Sequence, residues 1–95
     1  MSADHQDRIE IIVRGRVQGV GFRYFVLQQA QDLALTGWTQ NQSDGAVLTV
    51  AEGPRAALEE LASRLRLGPP MSRVGECTVQ FQTAHAEFAA FEIRR

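Results

Sequence analysis

Residues 8–41 read RIEIIVRGRVQGVGFRYFVLQQAQDLALTGWTQN, and the change of period inside this stretch decides the fold. From Arg8 the apolar residues alternate. Ile9, Ile11 and Val13 fall on one side and Glu10, Ile12 and Arg14 on the other, as in a strand with one buried face. Three glycines then punctuate Gly15-Arg16-Val17-Gln18-Gly19-Val20-Gly21, a run that no regular element holds comfortably. Beyond Gly21 the spacing becomes helical. Phe22, Phe25, Val26, Gln29, Ala30, Leu33 and Ala34 form a stripe with one polar intrusion, while Arg23, Gln28, Gln31 and Asp32 lie off it. The pattern predicts a helix of about four turns, ended by Gly37. Trp38-Thr39-Gln40-Asn41-Gln42 reads as a short strand.

Working outward, Ser43-Asp44-Gly45 carries an aspartate–glycine hairpin signal, and AVLTVAE (46–52) is the β-branched return strand. Gly53-Pro54 opens a second helix, with proline suited to its first position. The core stripe of that helix is Ala57, Leu58, Leu61, Ala62 and Leu65. Glu60 and Arg64 form an i, i+4 pair, and Gly68-Pro69-Pro70 stops it. A strand over Val74 to Gln82 points Cys77, Val79 and Phe81 inward and Thr78, Gln80 and Gln82 outward. Phe91-Glu92-Ile93 suggests one more short strand. Phe22, Phe25, Phe81 and Phe91 read as core. Residues 1–7, MSADHQD, are polar and aperiodic and read as a disordered tail, leaving 8–95 as a single domain.

The order β-α-β-β-α-β with an extra C-terminal strand predicts an α+β domain, the ferredoxin-like α/β plait. An antiparallel sheet is covered on one face by two helices. Right-handed crossovers make the first two strands parallel, so their C-terminal ends share one edge of the sheet. The glycine loop leaves the first strand there and Asn41 ends the second, so loop and asparagine are expected to converge.

Composition narrows the chemistry. The chain has 95 residues, 44% hydrophobic and 22% charged, with a net charge of −1, so no bulk positive field draws it to nucleic acid or an anionic membrane. All ten basic residues are arginines. Without lysine there is neither Schiff-base chemistry nor a Walker A loop. One cysteine, Cys77, forms no internal disulfide, and with His5 and His85 it makes a poor metal inventory. No apolar run approaches a membrane span and no signal-peptide core is present. A cytoplasmic monomer with no nucleic-acid or membrane partner is the expectation.

As chemistry, GRVQGVGFR (15–23) joins a strand to a helix start, where backbone N–H groups lack helical partners. Glycines let consecutive amides turn toward an anion, and Arg23 in the first helical turn can grip the same anion bidentately. A tight β–α turn with an exposed arginine accounts for the same residues, and both readings stand at this point. The dinucleotide fingerprint is not met, because Tyr24 stands where its third glycine belongs.

GRVQGVGFR closely resembles the first signature of the acylphosphatase family. Gly37-Trp38-Thr39-Gln40-Asn41, followed by Gly45, Val47 and Gly53, resembles the second. Thr39 departs from it, where a small apolar residue is more usual. The resemblance runs from about Arg8 to Ile93. It implies hydrolysis of the carboxyl–phosphate bond of small acylphosphates without metal or organic cofactor. Arg23 would bind the phosphoryl group and Asn41 would orient the attacking water. The backbone amides of Arg16, Val17, Gln18, Gly19, Val20 and Gly21 would complete the cradle. The residues allow this, since the loop holds no nucleophilic side chain and a mixed anhydride already has a good leaving group.

Other candidates carry less. Arg14 and Arg16 flank the loop as added positive field or as solvated strand ends. Glu59 and Glu60 diverge by about 100° on a helix and make no paired site. Cys77 reads as a small buried hydrophobe. Trp38 is open between a strand position and a place beneath the site. Two other function classes remain. An RNA-binding plait would need aromatics on the central strands, and those read IEIIV and AVLTVA. The other is a module of a larger pathway, like the related domain of hydrogenase-maturation carbamoyltransferases. A free-standing chain is the expectation against it.

Overall fold

The computed structural model describes residues 6–95 and arranges them as β1 (Asp7–Arg16), α1 (Phe22–Asp32), β2 (Thr36–Asn41), β3 (Val47–Gly53), α2 (Arg55–Leu67), β4 (Arg73–Thr83) and β5 (Phe91–Arg94). Of the tail expected over residues 1–7, Met1 to His5 lie outside the described residues, and Asp7 already belongs to β1.

The sheet order is β4-β1-β3-β2-β5. The first four strands pair antiparallel, whereas β5 joins β2 in parallel, so the extra strand makes the sheet mixed. The alternation read from residues 8–14 is the register itself. Ile9, Ile11 and Val13 are fully buried under the helices, while Arg14 on the other face is exposed. Helix α1 lies over β2 and β5, and α2 lies over β1 and β4. Phe22, Val26 and Ala30 of α1 meet Leu58, Leu61, Ala62 and Leu65 of α2 in one core with the inner residues of β1. Phe91 is buried there, while Phe25 and Phe81 pack against it half-buried. Among the described residues no helix is long and apolar enough to cross a membrane.

Helix α1 stops earlier than the glycine rule predicts. Leu33 caps it, Ala34 takes the left-handed conformation at φ 57°, and Leu35 N–H reaches back to Ala30 O at 2.9 Å while Ala34 N–H reaches Gln31 O at 3.0 Å. This is the Schellman pattern built on alanine, with buried Leu35 supplying the accompanying apolar contact. Gly37 is not the stop. It lies inside β2, where a Cβ would strike Val50 O and Ala51 Cα of the neighbouring strand, so it permits a close approach of two backbones. Pro54 likewise sits one position earlier than expected, as the N-cap of α2.

The departure at Thr39 has a local reason. Thr39 and Thr49 are directly paired across β2 and β3, both are fully buried, and their hydroxyls lie 2.9 Å apart. Each satisfies the other, so two polar groups enter the core without an orphan.

The chain must also carry β4, at one edge, over to β5 at the other. Four strand spacings of about 4.8 Å make roughly 19 Å, which residues 84–90 span when extended. Glu52, buried on β3 midway along this path, anchors the crossing. Its carboxylate accepts His85 N–H at 2.8 Å, Ala86 N–H at 2.9 Å and Arg8 Nη1 at 3.2 Å.

Candidate active site

Where β1 and β2 end together, a cavity of about 240 Å³ opens between the glycine loop, the start of α1 and the end of β5. Arg23 and Asn41 both line it, as do Val17, Gly19 and Gly21. The convergence expected from the right-handed crossover is therefore present: two residues eighteen positions apart in sequence line one cavity.

Each contributor is placed by its element. Gly21 is the N-cap of α1 at φ 78°, and its carbonyl accepts the first helical bond from Phe25 N–H at 3.0 Å. Gly19 shares the left-handed conformation at φ 76°. A Cβ at either position would touch nothing within 4 Å, so backbone conformation rather than crowding demands glycine. Among the described residues, the N–H groups of Val17, Gln18, Gly19, Val20 and Gly21 have no protein acceptor. Arg16 still belongs to β1, paired with Arg73, and Val20 packs half-buried against the core. Neither lines the cavity, and Gln18 turns its side chain elsewhere.

Arg23 is half-buried in the first turn of α1, and its Nη1 donates to Arg94 O of β5 at 2.9 Å. That bond fixes the plane of the guanidinium while leaving its other N–H groups available. Asn41 is the last residue of β2, on the sheet face that packs against the helices. Tyr24, Ile93 and Arg95 complete the cavity's rim. None of these three belongs to the motifs that pointed to the site. Ile93 follows Phe91 by two positions on the inward face, a usable signal, but nothing local to β5 announces that it lies beside β2.

None of the lining residues is Ser, Thr, Cys, His, Asp or Glu. The cavity therefore offers donors and positive charge to an anion and no carboxylate side chain against it. Among the described residues no three His, Cys, Asp or Glu side chains gather to hold a metal ion.

The remaining candidates are placed outside. Arg14 is engaged by Asp44 at 2.8 Å, a hydrogen bond that holds the Asp44 carboxyl below the usual carboxylate range, helped by Ala46 N–H. Glu59 pairs with Arg55 and Glu60 with Arg64, so the two glutamates face their own partners. Trp38 shares the sheet face of Val50, away from the helices, with Arg94 stacked 4.4 Å over its ring. Cys77 is half-buried on β4, and burial pushes its thiol up, the opposite of what a nucleophile needs. His85 is exposed in the β4–β5 crossing, and His5 lies outside the described residues.

Residues 9–93 match the family model described as acylphosphatase. The acylphosphatase of Syntrophotalea carbinolica is 48% identical over 87 residues, 92% of this chain and 95% of that protein. The crystal structure of acylphosphatase from Bacillus subtilis superposes with a TM-score of 0.90 at 40% identity, covering 94% of this chain and 99% of that one. Full-length HypF, in its phosphate- and nucleotide-bound form, contains the same fold at TM-score 0.88 and 29% identity. There the match covers 96% of this chain but 12% of that one.

Proposed function

The chain belongs to the acylphosphatase family, and on that premise we propose how its cavity hydrolyses the carboxyl–phosphate bond of an acylphosphate. The phosphoryl group lies against the loop amides at the start of α1, where N–H groups and the helix dipole favour negative charge. Arg23 grips the phosphoryl oxygens with N–H groups left over from its bond to Arg94 O, and it stabilises the charge that develops on them. The carboxamide of Asn41 holds a water for in-line attack on phosphorus. The new P–O bond forms as the bond to the acyl oxygen breaks, and the carboxylate departs with that electron pair. Asn41 is neutral and takes no proton. The water's proton passes to a phosphoryl oxygen, so a dianionic acylphosphate and water yield a carboxylate and dihydrogen phosphate. Positioning and electrostatics carry the rate, as in other phosphoryl transfers.

The observation that supports this most is that Arg23, Asn41 and the loop residues Val17, Gly19 and Gly21 line one cavity free of carboxylate side chains. We read the chain as a monomer acting on small molecules with no metal partner; the near-neutral charge supports the reading of no nucleic-acid or membrane partner, and the lone cysteine supports the cytoplasm. The test is hydrolysis of benzoyl phosphate with a chelator present. Turnover that Arg23→Ala removes supports the reading. No turnover, or full activity in Arg23→Ala, overturns it.

A further inference from the structure

The loop and Asn41 come from strands that do not touch. β1 pairs with β3 and β4, and β2 pairs with β3 and β5, so no ladder bond ties the end of β1 to the end of β2. At the surface Arg14 of β1 reaches Asp44 of the β2–β3 turn at 2.8 Å, and from the glycine loop itself it is Gln18 that crosses the gap. Gln18 Nε2 donates to Gln42 O at 2.8 Å and to Ala46 O at 2.9 Å. Both partners are carbonyls, so only the NH2 end of the amide can face them, and both of its hydrogens are used. Gln42 follows Asn41 directly, and Gln42 N–H closes the hairpin onto the same Ala46 O at 2.8 Å. The Gln18 side chain therefore fastens the glycine loop to the turn that follows Asn41.

We propose that Gln18 is a positioning residue for the hydrolysis, whose side-chain amide sets the distance between the phosphoryl cradle and the water held by Asn41. The proposal rests on the reading of Asn41 given above. In-line attack needs water and phosphorus in one geometry, and a misplacement of about 1 Å can cost on the order of 10²-fold in rate. The cradle itself is carried by backbone and by Arg23, so it survives loss of this side chain. Gln18 acts on the relation between two parts rather than on either part.

The experiment compares Gln18→Ala and Gln18→Met, which both keep the backbone amide. Methionine also fills the space without donating. Each is measured for kcat and KM on benzoyl phosphate and for inhibition by inorganic phosphate, alone and combined with Asn41→Ala. The expected result is a kcat lower by about 10- to 100-fold, with phosphate inhibition unchanged within about 3-fold. In the Asn41→Ala background the further loss shrinks to about 2-fold or less, because the group being positioned is gone. Methionine should not rescue. Wild-type kcat in either variant, parallel loss of phosphate affinity, or an equal loss with and without Asn41 overturns the role of Gln18 while the hydrolytic reading stands. Full activity in Asn41→Ala overturns the water assignment and the Gln18 role with it.

Discussion

At one end of the sheet, Arg8 Nη1 and the N–H groups of His85 and Ala86 close around the buried Glu52 carboxylate. At the other end, Arg23 and the loop residues Val17, Gly19 and Gly21, whose N–H groups have no protein acceptor, line a cavity instead. The parts are alike: an arginine and neighbouring backbone amides. The difference is who supplies the anion. At the Glu52 end the chain supplies it, every donor is satisfied, and the product is stability, because the crossing from β4 to β5 is held down. At the Arg23 end the donors are kept available, and on the proposed reading the anion arrives with the substrate. A buried donor without a partner is costly. The cavity is open to solvent, so water rather than strain satisfies these groups between turnovers.

Substitutions break this comparison at either end. Arg23→Ala should lower kcat/KM by on the order of 10³-fold or more, while its thermal unfolding midpoint stays near the wild-type value. A large drop in midpoint would make Arg23 structural, like Arg8. Asn41→Ala should lower kcat by about 10²–10³-fold with phosphate inhibition nearly intact, because water placement is lost and the cradle is not. Glu52→Ala should do the reverse. Chemical denaturation should show a loss of about 3 kcal/mol, because Arg8 and two amides lose their buried counter-charge. The folded fraction should keep near-normal kcat. Equal damage to kcat and stability would erase the distinction between the ends.

The smallest expected effect tests the polar pair between the two ends. Thr39→Val should cost about 1–3 kcal/mol by orphaning the buried Thr49 hydroxyl, and adding Thr49→Val should recover most of it. Additive losses in the double variant would mean that the hydroxyl pair is not the reason threonine sits where the family more often has an apolar residue.

How far the sequence carries these distinctions depends on where each signal lies. The elements were legible from periodicity, because burial of one face leaves its spacing in the residues: the alternation at Ile9, Ile11 and Val13 and the stripe through Leu58, Leu61 and Leu65 both survive intact. The end of α1 was not, because Ala34 adopts the conformation that the glycine rule assigns elsewhere, and Gly37 is glycine for a backbone contact with β3. That contact exists only once the strands pair. The convergence of Arg23 and Asn41 was legible because chirality restricts how β1, α1 and β2 connect. Their setting was not. Gln18 carried no signal for its side chain, since its two acceptors are backbone carbonyls that any residues at 42 and 46 would supply.

By itself, then, the order of residues determined the elements, the handed plait and the meeting of the glycine loop with Asn41 at one edge of the sheet. All of these follow from local sterics, the burial of one face and motif spacing. Tertiary structure alone decided that β5 lies parallel beside β2 and offers Arg94 O to Arg23, that Glu52 pins the crossing and Gln18 the loop, and that Thr39 answers Thr49. The physical reason is common to all of these. Each is a hydrogen bond or pairing between distant segments, several of them to a backbone group that every residue carries, so its partner is set by position in space rather than by residue type.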